Sequence, residues 1–251
     1  MLSLPPEVPI NKKNILEHLA RKIIDSSLKP NQILPNEFAF AALYGVSRTM
    51  IRDVLKSLEG KGLIERKTNV GTRVRSIHSW NLLDKELLDW SCGLLTQSRF
   101  LVSLLELRLI VEPQAAALAA IRANDEDLQA IRNHLERMED AEGRTINTPA
   151  DIEFHKAIIK ACGNLFVSQF GNAIQAALHH TIYMSNKANM DHKASLECHR
   201  SILKAIEDRD SAGAYAAMCR VLKNTIFDMG LQVSVVILPD PNSVLQDDSS
   251  P

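Results

Sequence analysis

The sequence predicts a mostly α-helical protein, an N-terminal winged helix-turn-helix followed by an antiparallel all-helical bundle. Three observations carry that expectation. Apolar residues recur at three- and four-residue spacing through most of the chain. One pair of short segments, "GLIERK" and "TRVRS", alternates instead and reads as two strands. The charge is divided: residues 1–78 hold 13 Lys and Arg against 7 Asp and Glu, a net of +6, and the remainder holds 16 against 23, a net of −7.

In chain order, Ile15, Leu16, Leu19, Ile23 and Ile24 in "ILEHLARKIIDSS" sit at helical spacing. Two prolines in "LKPNQILP" break the pattern, and a short helix over 36–43 ends at Tyr44-Gly45. Ser47 is placed to cap the next helix by accepting a hydrogen bond from a free backbone N–H. Within that helix Ile51, Val54, Leu55 and Leu58 form the inner stripe, and the two strands follow with Asn69-Val70-Gly71 turning between them. From Trp80 onward the segments read as helices of 15–25 residues with short joints, the pattern of an antiparallel bundle. Pro113 falls inside one of them and Pro149 in the first turn of another, where a missing N–H costs little. The expected domains are 1–78 and 79–232, with 233–251 a polar, proline-rich disordered tail.

Composition narrows the function. A hydrophobic fraction of 45% and a charged fraction of 24% describe a globular chain able to bury a core. Val233 to Leu238 is far shorter than the roughly 20 apolar residues a bilayer requires, so no membrane span is expected. The N-terminus lacks the basic start and apolar run of a secretory signal. Cys92, Cys162, Cys198 and Cys219 are scattered with no CxxC pair, which suits reduced thiols in a cytoplasmic protein. There is no nucleophile elbow, P-loop or HExxH.

The basic helix points to DNA. Stepping about 100° per residue from Arg48 puts Arg52 near about 40°, Lys56 near about 80° and Thr49 near about 100°, while the apolar stripe centres near about 290°. Arg48, Thr49, Arg52 and Lys56 therefore share one exposed face, with Ser47 at its start. A helix fits the major groove, and arginine can donate two parallel hydrogen bonds to guanine O6 and N7. The glycine in the hairpin lets backbone approach a phosphate or the minor groove closely.

With cap, basic face and wing in this order, "ILPNEFAFAALYGVSRTMIRDVLKSLEGKGLIERKTNVGTRV" resembles the DNA-binding domain of GntR-type bacterial regulators. The resemblance implies that Ser47, Arg48, Thr49, Arg52, Gly71 and Thr72 contact double-stranded operator DNA. The family usually has arginine after the glutamate of the first motif, whereas Phe38 follows Glu37 here. One usual DNA contact is thus missing, and a different operator is expected.

In the acidic half, Asp151 and His155 are four residues apart and share a helix face, and His199 is the best third partner. Such a set can hold a metal, and such pairs are also common as plain surface contacts. "DIEFHKAIIKACGN" and "HRSILKAIEDRD…AAM" resemble the all-helical FCD effector domain of the FadR branch of the family. That resemblance implies one Asp and three His around a divalent ion, zinc, nickel or manganese, which holds a carboxylate effector. Here the third histidine falls at Val221, which cannot ligate. Cys219 lies about 200° around the helix from it, and Thr225 offers only a weak oxygen. Two alternatives follow: a three-ligand metal centre with Asp151, His155 and His199, or a metal-free polar pocket using the same residues.

Arg108 lies in the apolar stretch "LLELRLIVEPQAAALAA", where an unpaired cation is costly. It either pairs with Glu106, Glu112 or a neighbouring helix or, as the resemblance implies, meets the effector carboxylate. "WNLLDKELLDW" is similar to the corresponding stretch of the galactonate-repressor branch, which implies a sugar acid such as an aldonate. The expected protein is a homodimeric repressor that answers a small carboxylate. Its rivals are a metal-dependent enzyme with a DNA-binding appendage and an architectural DNA binder indifferent to small ligands.

Overall fold

A computed structural model describes residues 8–67, 70–91, 94, 99–139, 148–171, 173–176, 179 and 192–230. They fall in two compact units, residues 1–97 and 98–251.

In the first unit, α1 (Lys12–Ile24) starts where Asn11 Oδ1 accepts from the N–H of Asn14, and it buries the five expected apolar residues together with Ala20. Strand β1 (Ile33–Leu34) leads into α2 (Glu37–Tyr44), which Asn36 caps and Gly45 ends at φ +64°. The left-handed turn at Gly45 costs a residue without Cβ little. Ser47 Oγ accepts from the N–H of Met50 at 3.2 Å to open α3 (Arg48–Gly60). Strands β2 (Ile64–Lys67) and β3 (Gly71–Val74) pair antiparallel, and β1 joins the other side of β3 with Leu34 opposite Thr72.

The unit continues past the wing, where the sequence reading ends it at residue 78. A 3₁₀ turn at Ile77–Ser79 leads to α4 (Lys85–Ser91), whose Leu87 and Trp90 pack in the core formed by α1, α2 and α3. Lys61 fastens this extension, bonding Asp84 at 2.8 Å and Glu86 at 2.7 Å while lying over the Trp90 ring. Gly62, at φ +77°, lets the carbonyl of Ser79 approach to 2.2 Å from where a Cβ would stand.

The regular elements of the second unit are all helices among the described residues. Helix α5 (Arg99–Arg122) contacts α7 (Thr148–Ala161), α9 (His192–Glu207) and α10 (Ser211–Asp228), and α6 (Asp125–Glu139) packs on α7 and α9. Because α5 is covered on several sides it is apolar nearly all round, and Pro113 is accommodated inside it. Leu101, Leu105, Leu109, Phe154, Ile202, Met218 and Val221 belong to the main core. The expected helix after Leu165 is interrupted, because α8 (Leu165–Ser168) ends in a turn at Gln169-Phe170. The expected disordered tail lies outside the described residues. Among the described residues no helix is long and apolar enough to cross a membrane.

Candidate functional site

On the first unit, the front of α3 presents Ser47, Arg48, Thr49, Arg52 and Lys56, all exposed, and Gly71 is exposed at the wing. Thr72 differs from expectation. Strand alternation turns Thr72 and Val74 inward from β3, leaving Thr72 9% exposed, and both neighbouring strands pair with it. Its side chain lies on the sheet face it shares with Leu34 and Arg66, the residues opposite it.

That face also holds a carboxylate the sequence reading passed over. Glu37, at the start of α2, accepts from Arg52 Nε at 3.2 Å and Nη2 at 2.9 Å, so the arginine is aimed before any ligand arrives. Arg66 on β2 stands 3.8 Å from Glu37 and 2.9 Å from Glu59. The hydrogen bond from Arg52 holds the Glu37 carboxyl below its usual range against the opposing effect of burial, with the charges of Arg52, Arg48 and Arg66 adding to it.

The second unit encloses a chain of ionisable groups. Asp151 and His155, one turn apart on α7, meet His199 from α9, and Asp151 Oδ1 lies 3.4 Å from His155 Nε2 and 3.3 Å from His199 Nε2. Both imidazoles are buried. Among the described residues these three are the one set of such side chains placed to share an ion.

Their outer nitrogens are committed elsewhere. His199 Nδ1–H donates to the carbonyl of Ser195 at 2.8 Å, and His155 Nδ1–H donates to Glu112 Oε2 at 2.5 Å. In a neutral ring that leaves the lone pair on each Nε2, turned toward Asp151 Oδ1. Three acceptors then converge with no hydrogen among them. Among the described residues Asp151 Oδ1 and His199 Nε2 find no hydrogen-bond partner although buried, a costly arrangement unless a cation or protons complete it. Metal–nitrogen bonds of roughly 2.0–2.1 Å place neighbouring tetrahedral ligands about 3.4 Å apart, close to the spacing found here. The residues present fit a divalent ion with three protein ligands.

Glu112, one turn after Arg108 on α5, is the group the sequence reading underrated. Its carboxylate accepts from Arg108 Nε at 2.5 Å and from His155 on the opposite side, with all three side chains at most 2% exposed. Burial would raise its pKa, but Arg108 and His155 outweigh that and hold it down to about 2. For His155, burial favours the neutral ring, and the carboxylates of Glu112 and Asp151 override it, raising its pKa to about 9. The two histidines likewise hold Asp151 well below the usual carboxylate range despite its burial. Among the described residues Arg108 Nη1 is buried with no partner, so its pairing with Glu112 leaves one donor unused there.

Val221 sits on α10, 5% exposed and part of the main core. With Ser195, Cys198, Asn224 and Thr225 it lines a cavity of about 160 Å³. Thr225 Oγ1 donates to the Val221 carbonyl at 3.0 Å, which commits the hydroxyl proton locally.

Comparison with known proteins agrees with this two-part organisation. Residues 11–74 match the family of bacterial regulatory proteins named gntR, and residues 103–224 match the FCD domain. The galactonate operon transcriptional repressor of Escherichia coli K12 is 32% identical over 222 residues, covering 86% of this chain and 96% of that protein. YieP, an uncharacterized HTH-type transcriptional regulator of the same organism, is 30% identical over 216 residues, covering 84% of this chain and 91% of its own length. The solved structure of Lar from Listeria monocytogenes superposes with a TM-score of 0.61 at 19% identity, covering 89% of this chain and 98% of that one, a likeness of fold. The chain belongs to the GntR family and carries an FCD effector domain, which makes it a DNA-binding transcription regulator and not an enzyme.

Proposed function

We propose that this regulator is a homodimeric, cytoplasmic repressor of a catabolic operon, released from its operator by a small sugar acid such as an aldonate. Ser47, Arg48, Thr49 and Arg52 read the operator in the major groove, with Gly71 bringing the wing backbone close to DNA. Paired heads suit a two-fold operator, because two half-sites multiply the modest affinity of one winged helix. In the sensing unit Asp151, His155 and His199 hold a divalent ion. When bound, the ion supplies a Lewis-acidic anchor for an oxygen of the effector. Arg108 uses its free Nη1 donor on the effector carboxylate, a natural partner for a guanidinium.

The convergence of Asp151 Oδ1 with His155 Nε2 at 3.4 Å and His199 Nε2 at 3.3 Å, inside the buried end of the unit, carries this reading. It favours the metal alternative over the metal-free pocket. The name of the galactonate relative supports an aldonate over other carboxylates. Neutral histidines are required to ligate, so the ion and the protons compete for the same site.

Elemental analysis of untagged protein, joined to titration of the DNA complex with a panel of aldonates in the presence and absence of EDTA, tests the proposal. A stoichiometric ion whose removal abolishes release is the expected result. Full release in excess EDTA would leave the metal-free pocket as the correct alternative, and indifference to the whole panel would overturn the sugar-acid assignment.

A further inference from the structure

The head carries an aromatic ring that its own fold does not use. Phe38, the second residue of α2, is 70% exposed. Phe40 and Tyr44 on the same helix are buried and stacked on one another with ring centroids 6.1 Å apart. A phenyl ring left in water gains nothing for folding. Its neighbours identify the surface it belongs to. Glu37, the preceding residue, is bonded to Arg52 and stands 3.8 Å from Arg66. The start of α2 is therefore fixed against α3 through Glu37, and Phe38 is the exposed apolar residue next to that contact.

We propose that Phe38 is a specificity-determining residue that packs on the C5-methyl group of a thymine in the major groove, beside the base pair reached by Arg52. This rests on α3 being the helix that enters the groove. The occupant follows from complementary chemistry. Arg48, Arg52 and Lys56, exposed on α3, and Arg66 beside Glu37 suit a polyanion. On the major-groove edge of a duplex the apolar feature is the thymine methyl, which phenylalanine can cover and cannot confuse with a hydrogen-bonding edge. An arginine at the same position would read guanine instead.

Full-length protein is used to select duplexes from a random pool, and each thymine of the selected half-site is then replaced by deoxyuridine, which lacks only the methyl group. Binding is followed by fluorescence anisotropy at fixed salt. One thymine per half-site should cost the wild-type protein about fourfold in affinity on replacement, the worth of one buried methyl. Phe38→Ala should bind the two duplexes equally, and selection with Phe38→Arg should enrich guanine at that position. The proposal is overturned if no thymine is selected, if wild type ignores every replacement, or if Phe38→Ala keeps the wild-type profile. Arg52→Ala run in parallel separates the two readings. Unchanged operator affinity in that variant removes α3 from the groove, whereas a large loss there with no effect of deoxyuridine removes Phe38 alone.

Discussion

The head and the sensing unit each set a carboxylate between two cationic groups, and the surroundings give the two arrangements opposite characters. Glu37 lies between Arg52 and Arg66 with side chains 25%, 54% and 30% exposed, whereas Glu112 lies between Arg108 and His155 at 0%, 2% and 1%. Water shares the first cluster, so each contact is weak and a DNA base or phosphate can replace it at little cost. Nothing but protein surrounds the second, so each charge there depends on its partners. A reader of DNA needs donors that can be given up, and a ligand sensor needs an arrangement that cannot rest until it is completed.

Removing the buried carboxylate should have the largest effect. Glu112→Ala leaves Arg108 and His155 uncompensated and should lower stability by about 3–5 kcal/mol in denaturant unfolding. A loss below about 1 kcal/mol would place the cluster among ordinary surface pairs.

The next effect is pH dependence in the metal-free protein. His155 is raised from 6.5 to about 9 in the folded state. Its contribution is complete below the unfolded pKa and is lost as pH rises through about 9. The urea midpoint in EDTA should accordingly fall between about pH 6.5 and 9, and His155→Gln should flatten the curve. Metal affinity should climb through the same interval as the proton leaves Nε2. A midpoint that is flat or rising in wild type would contradict the coupling.

The exposed cluster should respond in binding and hardly at all in stability. Arg52→Ala should weaken specific operator binding by about ten- to a hundredfold, the range for one bidentate base contact, with the thermal midpoint unchanged. Glu37→Gln should do least, costing a few-fold in operator affinity because Arg52 loses the partner that aims it. If this variant unfolds the head, the exposed cluster is structural and the contrast fails.

The sequence already displayed much of this and concealed the rest for definite reasons. The caps at Ser47 and Gly45 and the stripe through Ile51, Val54, Leu55 and Leu58 are local features, and they appear where periodicity puts them. The meeting of Asp151 with His155 follows from helical spacing, whereas His199, the third partner the sequence offers, comes from another helix whose approach no local pattern shows. Strand β1 has two residues, too few for alternation to register. The second role of Glu112 depends on a histidine 43 positions away. Its pairing with Arg108 at i, i+4 was visible, but no local pattern shows that one carboxylate serves two helices. The inward turn of Thr72 was available from the alternation with Val74, although the resemblance pointed the other way.

The attachment of α4 to the head has a practical consequence for anyone who would exchange parts between regulators. Leu87 and Trp90 are core residues of the DNA-binding unit, and Lys61 ties Asp84 and Glu86 to the end of α3. A chimera joined directly after the wing would strip two buried side chains from the donor head and give it a foreign segment to pack in their place. A junction placed after Ser91 keeps the donor's own α4, so the borrowed head arrives with its hydrophobic closure intact and the recipient supplies only the sensor.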